Sequence, residues 1–569
     1  MNDIRRTILW VIFGFSMVLL WDKWQLHNGN KATFFPSATE VAAPAPAVNA
    51  SGAAGAASVP SSAAPVATAG VQGASAVPGQ PAPAAAPTTR ERVEVKTDLY
   101  RLTFDSEGGS LTHAELLQHA DMDDKKRNFL LLDESAQRVY VAQTGLIGGN
   151  FPTHKTAMTV VPGARELKDG EDEISVRFES PDQGGLKLAK TWTIKRGSYD
   201  IAVKHEVVNT GSAAVSPQLY FQLVRDGNKP PGESSFYSTF TGPAVYTEAK
   251  KYQKVEFKDI EGGKVDIPKD SPNGYVAMVQ HYFATAWLLA DGTQRELFTR
   301  KVDTNLYSVG MLTSLGAIEP GKSKTVDARL FAGPQVETMM EKLYPGLELV
   351  KDYGWLTILS KPLYWLLDQL HKLLNNWGWS IVALVLLLKI AFYWLNAKAY
   401  ASMAKMKSVN PKIMEMRERL KDKPQQMQQE MMRIYREEKV NPMGGCFPIM
   451  IQIPVFIALY WVLLSSVEMR NAPWIGWIRD LSAPDPFFIL PLLMTLSSLL
   501  QTALNPAPPD PMQAKMMWFM PLIFSVMFFF FPAGLVLYWL TNNILSIAQQ
   551  WLINTRMGVP PQFNLPSFK

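Results

Sequence analysis

One cysteine, Cys446, stands in 569 residues, so no intrachain disulfide can form. Any part of the chain outside the cytoplasm must therefore hold through its core alone. The sequence has no Walker motif for a nucleoside triphosphate and no recognisable redox site. The histidines His113, His154, His205 and His281 are scattered and lack metal-ligand spacing, so neither a metal nor another cofactor is expected. A net charge of +5 is small for this length and does not suggest direct nucleic-acid binding. The most telling absence is local. Five long apolar segments in the C-terminal half contain no Asp or Glu, yet one of them contains Lys389.

Mean hydropathy is close to zero, which conceals a partition into blocks. In residues 1–27, Arg5 and Arg6 precede an apolar run from Ile8 to Leu20, with Trp10, Trp21 and Trp24 near its ends. The competing signal-peptide reading lacks a small-residue cleavage site directly after the run. Interfacial tryptophans favour a retained membrane anchor, and the arginines place its N-terminus in the cytoplasm. Residues 28–89 are rich in Ala, Pro, Gly and Ser and cannot bury a core, so they read as a flexible linker.

Residues 90–345 alternate like strands. Ile174, Val176 and Phe178 point one way; Leu186, Leu188, Trp192 and Ile194 follow, then Ile201, Val203 and Val207. Turn signals such as Glu107-Gly108-Gly109 and Asn209-Thr210-Gly211 punctuate them. Many short strands without helical patterns between them predict a large all-β sandwich. No nucleophile motif appears in it, so a binding or scaffold role is expected. Residues 354–376 carry Leu356, Leu359, Leu363, Leu366, Leu370 and Leu373 at helical spacing, which suits an amphipathic helix at a membrane interface. A core helix of the preceding domain is the plainer alternative.

Five more spans are predicted, at 377–395, 447–464, 487–504, 516–531 and 535–553. With the first they make six, so both termini are cytoplasmic. Lys398, Lys405, Lys407, Lys412, Arg417 and Arg419 make the loop after the second span cytoplasmic, which puts the β domain in the periplasm. Several spans fall short of the ~20 residues of a typical membrane helix, and short helices thin the bilayer around them.

A lysine at a bilayer centre costs about 2.5–3.5 kcal/mol on insertion scales. Lys389 lies some nine residues before Lys398, or ~13 Å of helix, so snorkelling to bulk water is awkward. A water-filled groove open to the cytoplasm suits it better, and the missing counter-ion suggests a guest that brings negative charge. Other polar residues join it: Gln452 in the third span, Thr495, Ser498 and Thr502 on one face of the fourth, and Asn542, Ser546 and Gln549 on one face of the last. Asn396 shares a face with Lys389. For any single Ser, Thr or Asn, interhelical hydrogen bonding worth ~0.6 kcal/mol is the plainer role. Residues 398–445 predict a cytoplasmic helical hairpin, broken at Lys423-Pro424. Met427 and Met431 lie on one face of its second helix, where they either pack the hairpin or meet varied apolar guests.

Three stretches resemble one family. Asn441-Pro442-Met443-Gly444-Gly445-Cys446-Phe447-Pro448-Ile449-Met450-Ile451-Gln452-Ile453-Pro454-Val455-Phe456 resembles the third-span signature of YidC-type membrane protein insertases. Phe531-Pro532-Ala533-Gly534-Leu535-Val536-Leu537-Tyr538-Trp539 is similar to the turn between that family's last two spans. Gln280-His281-Tyr282-Phe283-Ala284-Thr285-Ala286-Trp287 is similar to its Gram-negative periplasmic domain. The resemblance implies a non-enzymatic inner-membrane insertase and chaperone for nascent membrane proteins, acting alone or with the SecYEG translocon. It implies a five-helix insertase core over 377–555 with a groove open to cytoplasm and lipid, beside a periplasmic β-supersandwich shaped like sugar mutarotases. Family members usually carry an arginine where this chain has Lys389. Some end in a long basic tail that binds ribosomes; residues 556–569 carry little charge, which shifts that task to the basic hairpin. Two alternatives are a small-anion transporter using Lys389 and a tethered sugar enzyme. The first lacks visible inverted repeats, and the second leaves the five later spans unexplained.

Overall fold

A computed structural model describes residues 90–569 apart from 122–123, 231–238, 422, 439–446, 506–510, 557, 559–562 and 564–569. The predicted N-terminal anchor, the linker, the 441–446 part of the third-span motif and most of the tail lie outside the described residues. The described chain divides into two compact units, one ending at Lys351 and the other beginning at Asp352.

The first unit consists of two nine-stranded sheets in which every ladder is antiparallel. The strands Glu173–Glu179, Leu186–Lys195 and Asp200–Asn209 keep the predicted alternation. Register places Val176 beside Trp192 and Trp192 beside Val203, so their apolar side chains form one inward row. Large side chains peg one sheet to the other. The Trp192 indole donates to the Gly109 carbonyl at 3.1 Å, the Trp287 indole to Gln222 at 3.1 Å, and the Tyr140 hydroxyl to Met278 at 3.0 Å. The strands Gly242–Thr247, Tyr275–Gln280 and Phe283–Leu289 are buried on both faces, which alternation does not predict. Strands covered on both sides read as continuous apolar runs. Part of the cover is the segment after the last strand. There the Tyr344 hydroxyl accepts from Gly274 N, and the Tyr275 hydroxyl donates to the Gly346 carbonyl. Gly346 sits at φ +85°, and a Cβ there would meet the Tyr246 ring at 2.5 Å, so only glycine fits. Among the described residues this unit has two short α-helices, α1 (Phe257–Glu261) and α2 (Glu337–Leu343).

The second unit is helical: α3 (Thr357–Leu374), α4 (Trp377–Ala391), α5 (Tyr393–Arg419), α6 (Pro424–Glu437), α7 (Phe447–Ser465), α8 (Ile489–Leu504), α9 (Pro511–Phe528) and α10 (Ala533–Arg556). Helix α3 packs Leu363, Leu366 and Leu370 on the bundle core yet exposes Ile358, Trp365 and Leu373, so it is apolar on two faces. The predicted second span is broken. Phe392, at φ −93° and ψ 11°, ends α4 and starts α5, and the two helices bend by 68°. Among the described residues no single helix is long and apolar enough to cross a membrane, whereas this bent pair passes by length and composition. Met427, Met431, Ile434 and Tyr435 of α6 pack against Val409, Ile413 and Met416 of α5.

Lys190 is fully buried between the sheets of the first unit. It donates to the carbonyls of Gly108 at 2.5 Å and Thr144 at 2.7 Å. Burial pushes its ammonium down to about 7. Burial, and next the Lys190 charge, pushes His154 and His205 down to about 3. Each native group thus binds fewer protons than its unfolded form, so stability rises with pH between the two values. For Lys190 that window runs upward from about 7; the histidines act with the same sign below their ordinary range. The melting temperature of this unit, followed by tryptophan fluorescence in the full chain, is expected to climb from pH ~7 to ~9. In Lys190→Met the profile should be flat over that range. An unchanged slope in the variant would show that Lys190 does not titrate in the fold.

Candidate functional site

The polar residues of the helical unit converge along α10. Its residues Tyr538, Asn542, Ser546 and Gln549 recur at spacings of four, four and three, which places them on one face. Three of them each hold a different helix. The Gln452 amide of α7 donates to the Tyr538 hydroxyl at 2.9 Å. Lys389 Nζ of α4 donates to Ser546 Oγ at 2.7 Å, and Ser546 passes its own proton to the Asn542 carbonyl at 2.6 Å. The Asn396 amide of α5 donates to Gln549 Oε1 at 3.3 Å.

These helices line a small, partly open groove with about 20 Å³ of free volume. Lys389, Asn396, Gln452, Tyr538 and Asn542 line it, with Val385, Leu388, Phe392 and Val455 between them. Lys389 is half-buried, and among the described residues no carboxylate pairs with it. Its charge rests on one neutral hydroxyl.

The other end of the bundle is stitched shut. Buried Asp485 accepts from the Trp477 indole at 3.0 Å, from Phe487 N at 3.0 Å and from Leu490 N at 2.7 Å, which caps α8. Ala533 N and Gly534 N donate to Ala483 and Leu481 of the same loop at 2.8 and 2.9 Å. A Cβ at Gly378 would meet the Trp474 ring at 2.2 Å, so α4 approaches this loop only because it carries glycine there.

Two family descriptions match almost all of the described chain: "YidC periplasmic domain" over residues 92–366 and "60Kd inner membrane protein" over 369–559. The chain is 56% identical over 556 residues to a membrane protein insertase YidC of Cupriavidus necator, covering 98% of each. It is 55% identical over 566 residues to that of Ralstonia nicotianae, again 98% of each. The chain belongs to the YidC membrane protein insertase family. Proteins of this family are inner-membrane proteins with a periplasmic domain. A solved structure described as an active YidC insertase with its first transmembrane domain resolved is 20% identical over 81% of this chain and 92% of that one, with a TM-score of 0.38.

Of the expected groove residues in this YidC family chain, Lys389, Gln452 and Asn542 line the groove, and Ser546 anchors the lysine. Thr495 and Ser498 lie elsewhere. Thr495 donates to its own helix at Pro491, and Ser498 accepts from Asn543 at 2.8 Å. Asn543 reaches Ser497 too, at 3.1 Å, so this pairing joins α8 to α10. Met427 and Met431 pack against Val409, Ile413 and Met416 within the hairpin, while Met414 and Met432 are exposed. Sequence reading missed Tyr538 and Asn543. The signal for Tyr538 was its place four residues before Asn542; nothing marked Asn543 beyond its polarity. Asn543→Ala is expected to cost about 1 kcal/mol, seen as a lower melting temperature in detergent. Amide exchange in Ile489–Leu504 should quicken with it; unchanged exchange there would mean that apolar packing alone holds α8.

Proposed function

We propose that this chain inserts and helps fold newly made inner-membrane proteins, as a non-enzymatic insertase whose groove lets a short polar segment of the substrate pass. The observation that carries this is Lys389, a cation held in the groove by a neutral hydroxyl, with no carboxylate partner among the described residues. A charge so placed stays available to a passing acidic group, and the low-dielectric walls strengthen that attraction. The stitched loop at the opposite end supports a groove closed on one side, the periplasmic one. On this reading the core has five spans and the full chain six, with both termini cytoplasmic and the β unit in the periplasm. SecYEG, membrane lipids and the ribosome are the proposed partners, the ribosome through the basic hairpin. Met427 and Met431 contact early substrate only if the hairpin opens, because they now face its first helix.

The test is insertion of a substrate series that differs only in the charge of the translocated tail, scored by protease protection. Lys389→Arg should retain activity. Lys389→Ala should slow acidic tails about tenfold and neutral tails least, and Lys389→Glu should block acidic tails. Equal loss across the series for Lys389→Ala, or full activity for Lys389→Glu, would make Lys389 merely structural. A second measurement addresses the hairpin. Photoreactive probes at Met427 or Met431 are expected to capture nascent chains at shorter lengths than probes in the spans. Capture by the spans alone, at every length, would remove the hairpin from the pathway.

A further inference from the structure

Five polar side chains line the groove, and four of them are committed to a neighbouring helix. Lys389 binds Ser546, Asn396 binds Gln549, and Gln452 and Tyr538 bind each other. Asn542 differs. Its backbone carbonyl accepts the Ser546 hydroxyl, but its carboxamide has no hydrogen-bond partner among the described residues. It lies one turn, ~5.4 Å, from Ser546 and hence from the anchor point of Lys389. The rest of the cavity wall around it is apolar: Val385, Leu388, Phe392 and Val455. If its role were only to glue helices, its amide would be paired, as its neighbours' groups are. A polar group in an apolar wall carries a solvation cost that a hydrogen bond offsets.

We propose that Asn542 is a substrate-contacting residue of the groove, and that its carboxamide pairs with a backbone peptide group of the crossing segment. This deepens the reading above and rests on the groove being the crossing path. A segment that passes as an extended chain carries peptide N–H and C=O groups with no internal partner. A carboxamide offers both a donor and an acceptor in one plane, so it pairs with a peptide group whatever side chain that residue bears. Lys389 offers only donors and a charge. The two residues thus divide recognition: Lys389 responds to the charge of the tail, and Asn542 to the backbone that every tail shares.

The experiment uses the full chain in cells depleted of the native insertase, with the same tail-charge series. Asn542→Leu is expected to slow every tail by the same factor, about threefold to tenfold, the scale of one lost hydrogen bond. Asn542→Gln should recover at least half the rate, and the melting temperatures of all three proteins should agree. Should Asn542→Leu fail to accumulate, Asn542→Ala carries the same comparison. A loss confined to acidic tails would overturn the proposal, because Asn542 would then act through Lys389. So would an absence of loss, or a loss that follows the melting temperature and that glutamine does not repair. A photocrosslinker in place of Asn542 separates the two levels. An adduct with the tail is expected. No adduct would overturn the groove as crossing path, whereas an adduct together with full activity of Asn542→Leu would overturn only the role of Asn542.

Discussion

The hydrogen bond from Lys389 to Ser546 is the constraint on which the helical unit turns. A carboxylate in that place would neutralise the lysine and close the groove with a strong pair. A bare lysine among the apolar residues of α4 would be too costly. One neutral hydroxyl is the intermediate solution: it orients the ammonium without consuming its charge. The serine can do this because its own proton goes to the Asn542 carbonyl one turn back, which leaves the oxygen lone pairs to the lysine.

The same helix organises the rest. Along one face of α10 successive polar residues receive α7, α4 and α5 in turn, while Asn543 on another face receives α8. Interhelical hydrogen bonds of this kind are individually weak in a membrane environment. Their value here is placement. They set helices whose apolar surfaces alone could slide, and they keep α4 and α5 in register with α10 across the 68° bend.

The β unit treats a buried lysine differently. Lys190 is fully enclosed and donates to two carbonyls, so burial drives its ammonium toward neutrality. Lys389 is only half-buried and faces open space. Among the described residues neither cation has an acidic partner; of the two, Lys389 borders the groove.

Sequence alone determined the block order, the strand-rich first unit and the helical second one, because apolar periodicity is a local property of the chain. It marked Lys389 as anomalous by a simple energetic criterion, and it placed Asn542, Ser546 and Gln549 on one face by helical spacing. Its family motifs were long enough to name the family. It did not show which polar stripe meets which. Thr495 and Ser498 read as well as Gln452 did, yet they turn away from the groove, because spacing fixes a face on its own helix and says nothing of the neighbour that face meets. The break at Phe392 carries no proline or glycine to announce it. The double-sided burial of strands such as Tyr275–Gln280 escaped alternation for the same reason, since cover on the second face comes from residues distant in the chain. Only packing decided which polar groups are paired across helices and which one, Asn542, is left facing the groove: hydrogen-bond partners here lie tens to more than a hundred residues apart, beyond the reach of any local pattern.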